Sequence, residues 1–418
     1  MKTYEQMKDS GHPWMGKIPS HWRDINPKAL FTQRKERAKE GERQLTASQQ
    51  YGVLYQDEYM ALTGSRVVVV QKDFDILKHV EAGDFVISMR SFQGGLEYSP
   101  VSGSISSAYV MLIPNKDLVY PPFYKWLLKS SAYIRALQST TDLVRDGQAM
   151  RYSNFAKVRL LTAPIDEQKA IANYLDDHCA QIDSIIEEAK ASINTYKKWK
   201  GSVIAEAITK GVSGNVRMRD TGVDWIGMMP VNWQCKKIKF FGQQTTERAE
   251  SNDGFIGLEN IESGSGHYVE TSDKEIMAEG TSIKIQKGDV IFGKLRPYLA
   301  KSYVAEKDCC GSTEFIVIHP FDCVAKYLMY IMLSPKFVDV VNMSTYGAKM
   351  PRANWNYIGN IKAPYPPVEE QEEIVRFLDA KLEQIDALIR EKKELIKDME
   401  MYRKSLIYEA VTGKRKVV

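Results

Sequence analysis

Five cysteines, an odd number without a C-x-x-C pair, give neither a disulfide framework nor a zinc site. Long apolar runs are missing too. The stretch around Val67–Val70 is far shorter than the ~20 residues a bilayer demands. Met1–Ser10 is polar and lacks the apolar centre of a secretory signal. These absences predict a reduced, cytoplasmic protein. Charge of one sign is also scarce, with 57 basic and 53 acidic side chains in 418 residues. Catalytic signatures are absent: there is no phosphate-cradling G-x-x-x-x-G-K-[ST] loop, no G-x-S-x-G elbow and no H-E-x-x-H helix. An Asn-Pro-Pro-aromatic motif for amino methylation is absent as well. A chain of this length supports two or three domains. Its lack of reaction chemistry favours recognition or scaffolding.

What the chain does contain is a duplication. Asp9–Lys28 matches Asp220–Lys239 at seven of 20 positions, including Trp14/Trp225 and Trp22/Trp233. About one match would arise by chance at typical residue usage. Glu167–Thr209 matches Glu370–Thr412 at 17 of 43 positions without a gap. A shorter echo aligns Gly147, Met150, Asn154, Ala163 and Pro164 with Gly347, Met350, Asn354, Ala363 and Pro364. The inserts between these frames agree only at points such as Gly83-Asp84 and Gly288-Asp289. Residues 1–165 carry 22 basic and 16 acidic groups, whereas 220–364 carry 16 and 17, so only the first insert is basic overall.

The repeated stretches read as long helices. Ile171, Leu175, His178, Ile182, Ile185, Ala189, Ser192, Tyr196, Trp199 and Val203 follow steps of four and three. Ile374, Leu378, Lys381, Ile385, Leu388, Lys392, Leu395, Met399, Tyr402 and Leu406 repeat them, a coiled-coil pattern that each helix most simply buries against the other. Prolines before each stretch end the preceding domain, and Asp166 and Glu369 place acids at the helix starts. In the inserts, Arg66–Gln71, Phe85–Met89, Val290–Phe292 and Phe315–His319 read as strands, and Pro122–Gln138 and Ala325–Val341 as helices. The Gly-Asp pairs read as turns feeding buried strands.

The segments Met7–Trp22 and Met218–Trp233, with Ala163-Pro-Ile-Asp-Glu-Gln168 and Pro366-Pro-Val-Glu-Glu-Gln371, resemble the signature of the specificity subunit of type I restriction–modification systems. The resemblance spans essentially the whole chain. It implies an α+β fold in which two mixed α/β target-recognition domains are joined by two long antiparallel coiled-coil helices, with a pseudo-two-fold internal repeat. The expected divisions are 1–164 and 213–366 for the recognition domains, and 165–212 and 367–418 for the helices. It further implies a non-catalytic DNA-recognition subunit that reads a bipartite target, one half-site per domain, with the helices setting the gap. The implied partners are double-stranded DNA, two DNA-methyltransferase subunits that bind S-adenosylmethionine, and restriction/translocase subunits that use ATP and Mg. No cofactor is expected on this chain.

Side chains able to reach base edges cluster after the Gly-Asp strands and in the polar loops before the long helices. The first insert offers Arg90, Ser91, Gln93, Arg145, Gln148, Arg151 and Tyr152. The second offers Lys294, Arg296, Tyr298, Lys349 and Arg352. Arg and Lys pair with guanine and Gln with adenine, but most protein–DNA hydrogen bonds go to phosphate, and solvated surface is the competing reading. Asn154 and Asn354 recur, which suits capping a turn, and the recurring tryptophans suit docking onto the helices. Gln181, Asp183, Gln384 and Asp386 on the exposed helix faces are candidate partner contacts. Two other functions fit a duplicated chain: a scaffold joining two protein-binding domains, and an enzyme with an unrecognised site in one insert.

Overall fold

The computed structural model describes residues 3–70, 76–88, 91–140, 150–214, 216–250, 254–270, 282–345 and 350–417. The chain divides into two compact units, Met1–Glu188 with Leu395–Val418, and Ala189–Glu394. Two long helices, Ile165–Lys210 (46 residues) and Val368–Val411 (44 residues), each contribute to both units. The fold is mixed α/β with all named strand pairs antiparallel.

In the first unit a four-stranded sheet runs Phe31–Arg34, Val110–Pro114, Phe85–Ile87, Glu97–Tyr98 in spatial order. Its apolar face, with Phe31, Phe85 and Leu112, packs on Phe123, Tyr124 and Leu127 of a short helix and on Ile171 and Leu175 of the first long helix. Such a core, buried on one side of a sheet and along one stripe of a helix, is the simplest two-layer solution. In the second unit the sheet runs Gly242–Thr245, Phe315–Pro320, Val290–Gly293, Ser302–Val304. The connectivity is the same and so is the edge register, since Met111 faces Arg34 as Val317 faces Thr245. Three two-stranded pairings in the first unit also have counterparts in the second. Met7–Asp9 with Lys17–Pro19 matches Met218–Asp220 with Met228–Pro230. The other matches are Arg23–Ile25 with Leu160–Thr162 against Gln234–Lys237 with Lys362–Tyr365, and Lys78–Val80 with Gly103–Ile105 against Ile283–Ile285 with Cys309–Gly311. The units differ where the first adds a hairpin, Leu45–Ser48 with Gly52–Tyr55, and a helix, Gln56–Thr63. In that interval the second has the 3-10 turn Leu258–Asn260.

The Gly-Asp turns are as expected. Gly83 and Gly288 have φ of 100° and 90°, open to glycine alone at little cost, and Asp84 and Asp289 accept the amides of Glu81 and Gln286 at 3.0 and 2.8 Å. Other expectations fail. Arg66–Val70 forms no strand despite its β-branched run, because no neighbouring strand pairs with it among the described residues. Pro122–Gln138 is two helices, Pro121–Leu127 and Ser131–Gln138, broken where Ser130 caps the second by accepting from the Tyr133 amide at 3.4 Å. Ala325–Val341 splits likewise at Ser334-Pro335, since Pro335 has no N–H to continue the first helix.

The start of each long helix is locked to its unit by a glutamate and a glutamine. Glu167 accepts from Trp22 Nε1 at 3.0 Å and from the Tyr4 hydroxyl at 2.8 Å, and meets His21 Nε2 at 2.6 Å. Glu370 accepts from Trp233 Nε1 at 2.6 Å and from Asn232 Nδ2 at 2.8 Å. The next residue in each case is a fully buried carboxamide. Gln168 accepts from the Tyr120 amide at 2.8 Å and donates to the Leu118 and Ala163 carbonyls at 2.9 and 2.8 Å. Gln371 accepts from Val324 N and donates to Pro366 O, both at 2.9 Å. The tryptophans therefore dock onto the helices, and Asn154 and Asn354 cap short helices. Each helix end closes on a tryptophan as well. Gly413 (φ 70°) sits where a Cβ would lie 3.3 Å from Trp22, and Gly211 (φ 78°) where one would lie 3.2 Å from Trp233. Both positions combine a left-handed backbone with a close approach that excludes a side chain.

The helices pair antiparallel within each unit. In the first, Tyr174 meets Arg415 at 3.1 Å and Asp183 meets Arg403 at 3.5 Å. In the second, Lys200 Nζ donates to both Asp386 oxygens at 2.7 and 2.9 Å. The seam is displaced by one residue at alternate positions from the expected register. Cys179, Ile186, Ile193 and Lys200 are buried instead of His178, Ile185, Ser192 and Trp199, with Leu382 and Ile389 instead of Lys381 and Leu388. Ile185 and Ile186 are adjacent and both apolar, so periodicity allows two registers. Packing selects the one in which Lys200 and Arg403 find acids.

Two outcomes follow. Ile186→Ala should lower stability to denaturant by about 2–4 kcal/mol, whereas Ile185→Ala should change it by less than about 0.5 kcal/mol; equal losses would contradict the displaced seam. For Glu167, burial alone would raise the carboxyl, but hydrogen bonds from Trp22, Tyr4 and His21 outweigh it and hold the group below its ordinary value of 4.5. Its stabilisation is therefore complete above that value and disappears as pH falls through the depressed folded value. Unfolding measured from neutral to acid pH should show Glu167→Gln less stable at neutrality, with the gap to the unaltered protein narrowing on acidification; a constant gap would refute the assignment.

Candidate nucleic-acid interface

In the second unit the structure joins two segments that are far apart in sequence. Strand Val290–Gly293 leads into Lys294–Ala300, and the segment containing Arg352 lies beside it through a bridge between Leu295 and Arg352. Pro297–Leu299 forms a 3-10 turn. Among the described residues, only Arg296 (φ 51°) and Ala300 (φ 47°) are non-glycines in the left-handed region, and they flank this single turn. Such residues cost of order 1–3 kcal/mol each and persist only where surroundings over-determine them. Here the Arg296 amide donates to Pro351 O at 2.8 Å, Lys294 N to Glu314 O at 2.9 Å, and Ala353 N to Lys294 O at 2.8 Å. Gly293 N donates to Lys301 O at 2.8 Å across the base of the loop.

The result is a firmly bonded turn, packed on helix Pro335–Met343, with Pro297 buried, Arg296 exposed and Tyr298 53 % exposed. Lys294 is half-buried at its start. Arg352 stands beside it, its guanidinium held in a fork by both Glu314 oxygens at 2.9 and 3.2 Å. This brings two cations, an aromatic and an oriented guanidinium together at one turn. A forked guanidinium pre-set in this way loses little freedom on meeting a planar acceptor edge. Lys349 lies outside the described residues.

The corresponding part of the first unit is described less fully, because Arg90, Arg145 and Gln148 lie outside the described residues. Gln93 and Arg151 are exposed. Ser91 is buried, and its hydroxyl accepts from Ser88 N at 2.8 Å, so it shapes the turn and presents nothing outward. Tyr152 is half-buried and donates to Phe31 O at 3.3 Å.

On the long helices Gln181 and Gln384 are exposed. Asp183 and Asp386 are engaged by Arg403 and Lys200 in the seam. Those ion pairs carried no separate signal in the sequence, since Lys200 and Arg403 each lie one position outside the expected stripe. Glu314 was equally invisible, lying 38 positions from Arg352. The Trp–Glu locks could have been found, because both members of each pair recur in the duplication. Among the described residues no group of three or more His, Cys, Asp or Glu is placed to hold a metal ion, and no helix is long and apolar enough to cross a membrane.

Residues 230–398 match the model of the type I restriction modification DNA specificity domain. The type I restriction enzyme MjaVIII specificity subunit of Methanocaldococcus jannaschii is 22 % identical over 382 residues, which cover 86 % of this chain and 83 % of that one. The type I restriction enzyme EcoDI specificity subunit of Escherichia coli is 20 % identical over 345 residues, 77 % of this chain and 76 % of that one. Two solved structures share the fold. A chain from a study of complex assembly and conformational transition in the type I R-M system superimposes with a TM-score of 0.73 at 14 % identity, covering 94 % of this chain and 98 % of its own. The HsdS subunit from Thermoanaerobacter tengcongensis gives 0.53 at 15 % identity, covering 95 % and 98 %. With the domain match, relatives aligned over most of their length and a common fold, this chain is similar to type I restriction–modification specificity subunits in fold and in sequence motif, and its residues 230–398 match their DNA specificity domain.

Proposed function

We propose that the chain is the non-catalytic DNA-recognition subunit of a type I restriction–modification complex, each insert reading one half of a bipartite target. The observation that carries this reading is the pairing of a common scaffold with unlike surfaces. Both inserts use the same sheet order and the same Glu-Gln lock, yet among the described residues the turn Lys294–Ala300 and the hairpin Leu45–Tyr55 belong to one insert each. Identical readers would suit a palindrome, whereas unlike readers suit an asymmetric site. Arg296 and Arg352 are suited to guanine N7 and O6, and Tyr298 to an apolar or stacking contact. In the first insert Gln93 and Arg151, with Arg90, Arg145 and Gln148, remain the proposed contacts.

The long helices supply the ruler. At ~1.5 Å per residue they extend ~65–70 Å, ample to span half-sites one helical turn apart, ~34–36 Å between centres. Adenine methylation, with S-adenosylmethionine, falls to methyltransferase subunits, and cleavage, with ATP and Mg, to restriction subunits. Docking of the methyltransferase subunits on the outer helix faces is favoured by Gln181 and Gln384 and by exposed apolar side chains left outside the seam: Ile185 and Tyr402 in the first unit, Trp199 and Phe377 in the second. A scaffold binding only proteins would leave the cationic turn without a role.

The test is selection from random duplexes by the full chain assembled with an adenine methyltransferase partner. A split consensus should emerge. Inserting four residues, about one helical turn, at matching points in both helices should change the gap and leave both half-sites intact. An unchanged gap would refute the ruler, and no sequence preference in any assembly would refute the function.

A further inference from the structure

The two units solve one problem differently. In the first, the buried carboxylate of Asp84 is closed by Arg34, whose Nε and Nη2 donate at 2.6 and 3.0 Å. In the second, Thr245 stands where the edge strand of the first unit carries Arg34, and the equivalent Asp289 is met instead by His319 Nδ1 at 2.7 Å. His319 occupies the position of Ile113. Exchanging a long arginine for a threonine leaves a trough of about 420 Å³ beside the strand, lined by Gln243, Gln244, Thr246, Lys284, Gln286 and His319 among others.

The charged groups of this trough are neutralised and its uncharged polar groups are open. Its two carboxylates are already satisfied: Glu247 by Lys284 at 2.8 Å, and Asp289 by His319 and by the Gln286 amide at 2.8 Å. Its donors are not. Among the described residues the carboxamides of Gln243, Gln244 and Gln286 and the hydroxyl of Thr246 have no partner, so each has an N–H or O–H free to donate. A concave surface with free donors and neutralised acids suits a convex, acceptor-rich ligand. Uncharged Gln and Thr side chains are regular phosphate contacts in protein–DNA interfaces. The second insert also lacks the basic excess of the first, with 16 basic against 17 acidic groups over 220–364.

We propose that this trough seats the sugar–phosphate backbone of bound duplex DNA, so that the second insert is positioned through uncharged donors. The seat lies toward the opposite end of the sheet from the Arg296–Tyr298 turn, since Asp289 precedes strand Val290–Gly293 and Lys294 follows it. Base contact and backbone contact are thereby divided between the two ends of one rigid sheet. This inference rests on the DNA-recognition reading above.

The test uses the full chain assembled with the proposed adenine-methyltransferase subunit and measures binding to the selected duplex and to one altered in the half read by the second insert. Gln243 and Gln286 are exposed, so Gln243→Ala with Gln286→Ala leaves the fold intact. Binding should weaken roughly tenfold on both duplexes. The slope of affinity against salt should stay unchanged because no cation is lost. Single methylphosphonates placed along that half should weaken the unaltered assembly at one or two positions, and those positions should cease to matter in the double variant. Unchanged affinity, or a loss confined to the selected sequence, would overturn the backbone seat while leaving the recognition function standing. Failure of the unaltered assembly to prefer any duplex would overturn both.

Discussion

Two adjacent side chains at the start of each long helix hold the rest of the molecule in place. Glu167 and Glu370 take the indole N–H of a buried tryptophan, and Gln168 and Gln371 bind backbone groups of the insert. A buried carboxamide satisfied on both its oxygen and its nitrogen tolerates little displacement, because every unmade bond would leave a desolvated polar group. The lock therefore transmits the orientation of a helix to the insert that grows from its start. Each insert can then vary its surface without losing its bearing on the helix.

That division of labour accounts for the pattern of divergence. The sheet order and edge register survive in both units although the insert sequences have little in common. A sheet face needs only apolar side chains of suitable volume, so Leu112 and Ile318 serve equally. The exposed loops have no such restraint. There the second unit holds a strained cationic turn and an open polar trough, and the first holds a hairpin and an arginine-closed carboxylate. Like frames with unlike surfaces are what a reader of two different sequences requires.

Much of this was legible in the residues, for stated reasons. The duplication displayed the helices and both halves of each lock, because Trp22 and Glu167 recur as Trp233 and Glu370. The turns at Gly83-Asp84 and Gly288-Asp289 were legible since glycine marks a backbone few other residues adopt. The helix seam was legible only to within one residue. Neighbouring isoleucines at 185 and 186 satisfy two heptad registers, and the choice rests on ion pairs whose members lie far apart in the chain. Lys200 and Arg403 fall one residue outside the stripe read from the sequence and are partners of Asp386 and Asp183. The valine run 67–70 looked like a strand because β-branched side chains favour one, but a strand exists only where a neighbour offers its hydrogen bonds. At the candidate interface, Arg296, Tyr298 and Arg352 were chosen by residue type, whereas their convergence on one turn and the contact of Glu314 with Arg352 required the fold.

The reading with most at stake is a bipartite DNA target whose two halves are separated by a constant gap. Base-resolution mapping of methylated adenine in DNA from cells expressing this chain with the proposed adenine-methyltransferase subunit tests it most directly. The account predicts a single asymmetric motif in two parts, with a methylated adenine in each part and an invariant number of unspecified bases between them. A contiguous or palindromic motif, or two parts separated by a varying gap, would contradict it.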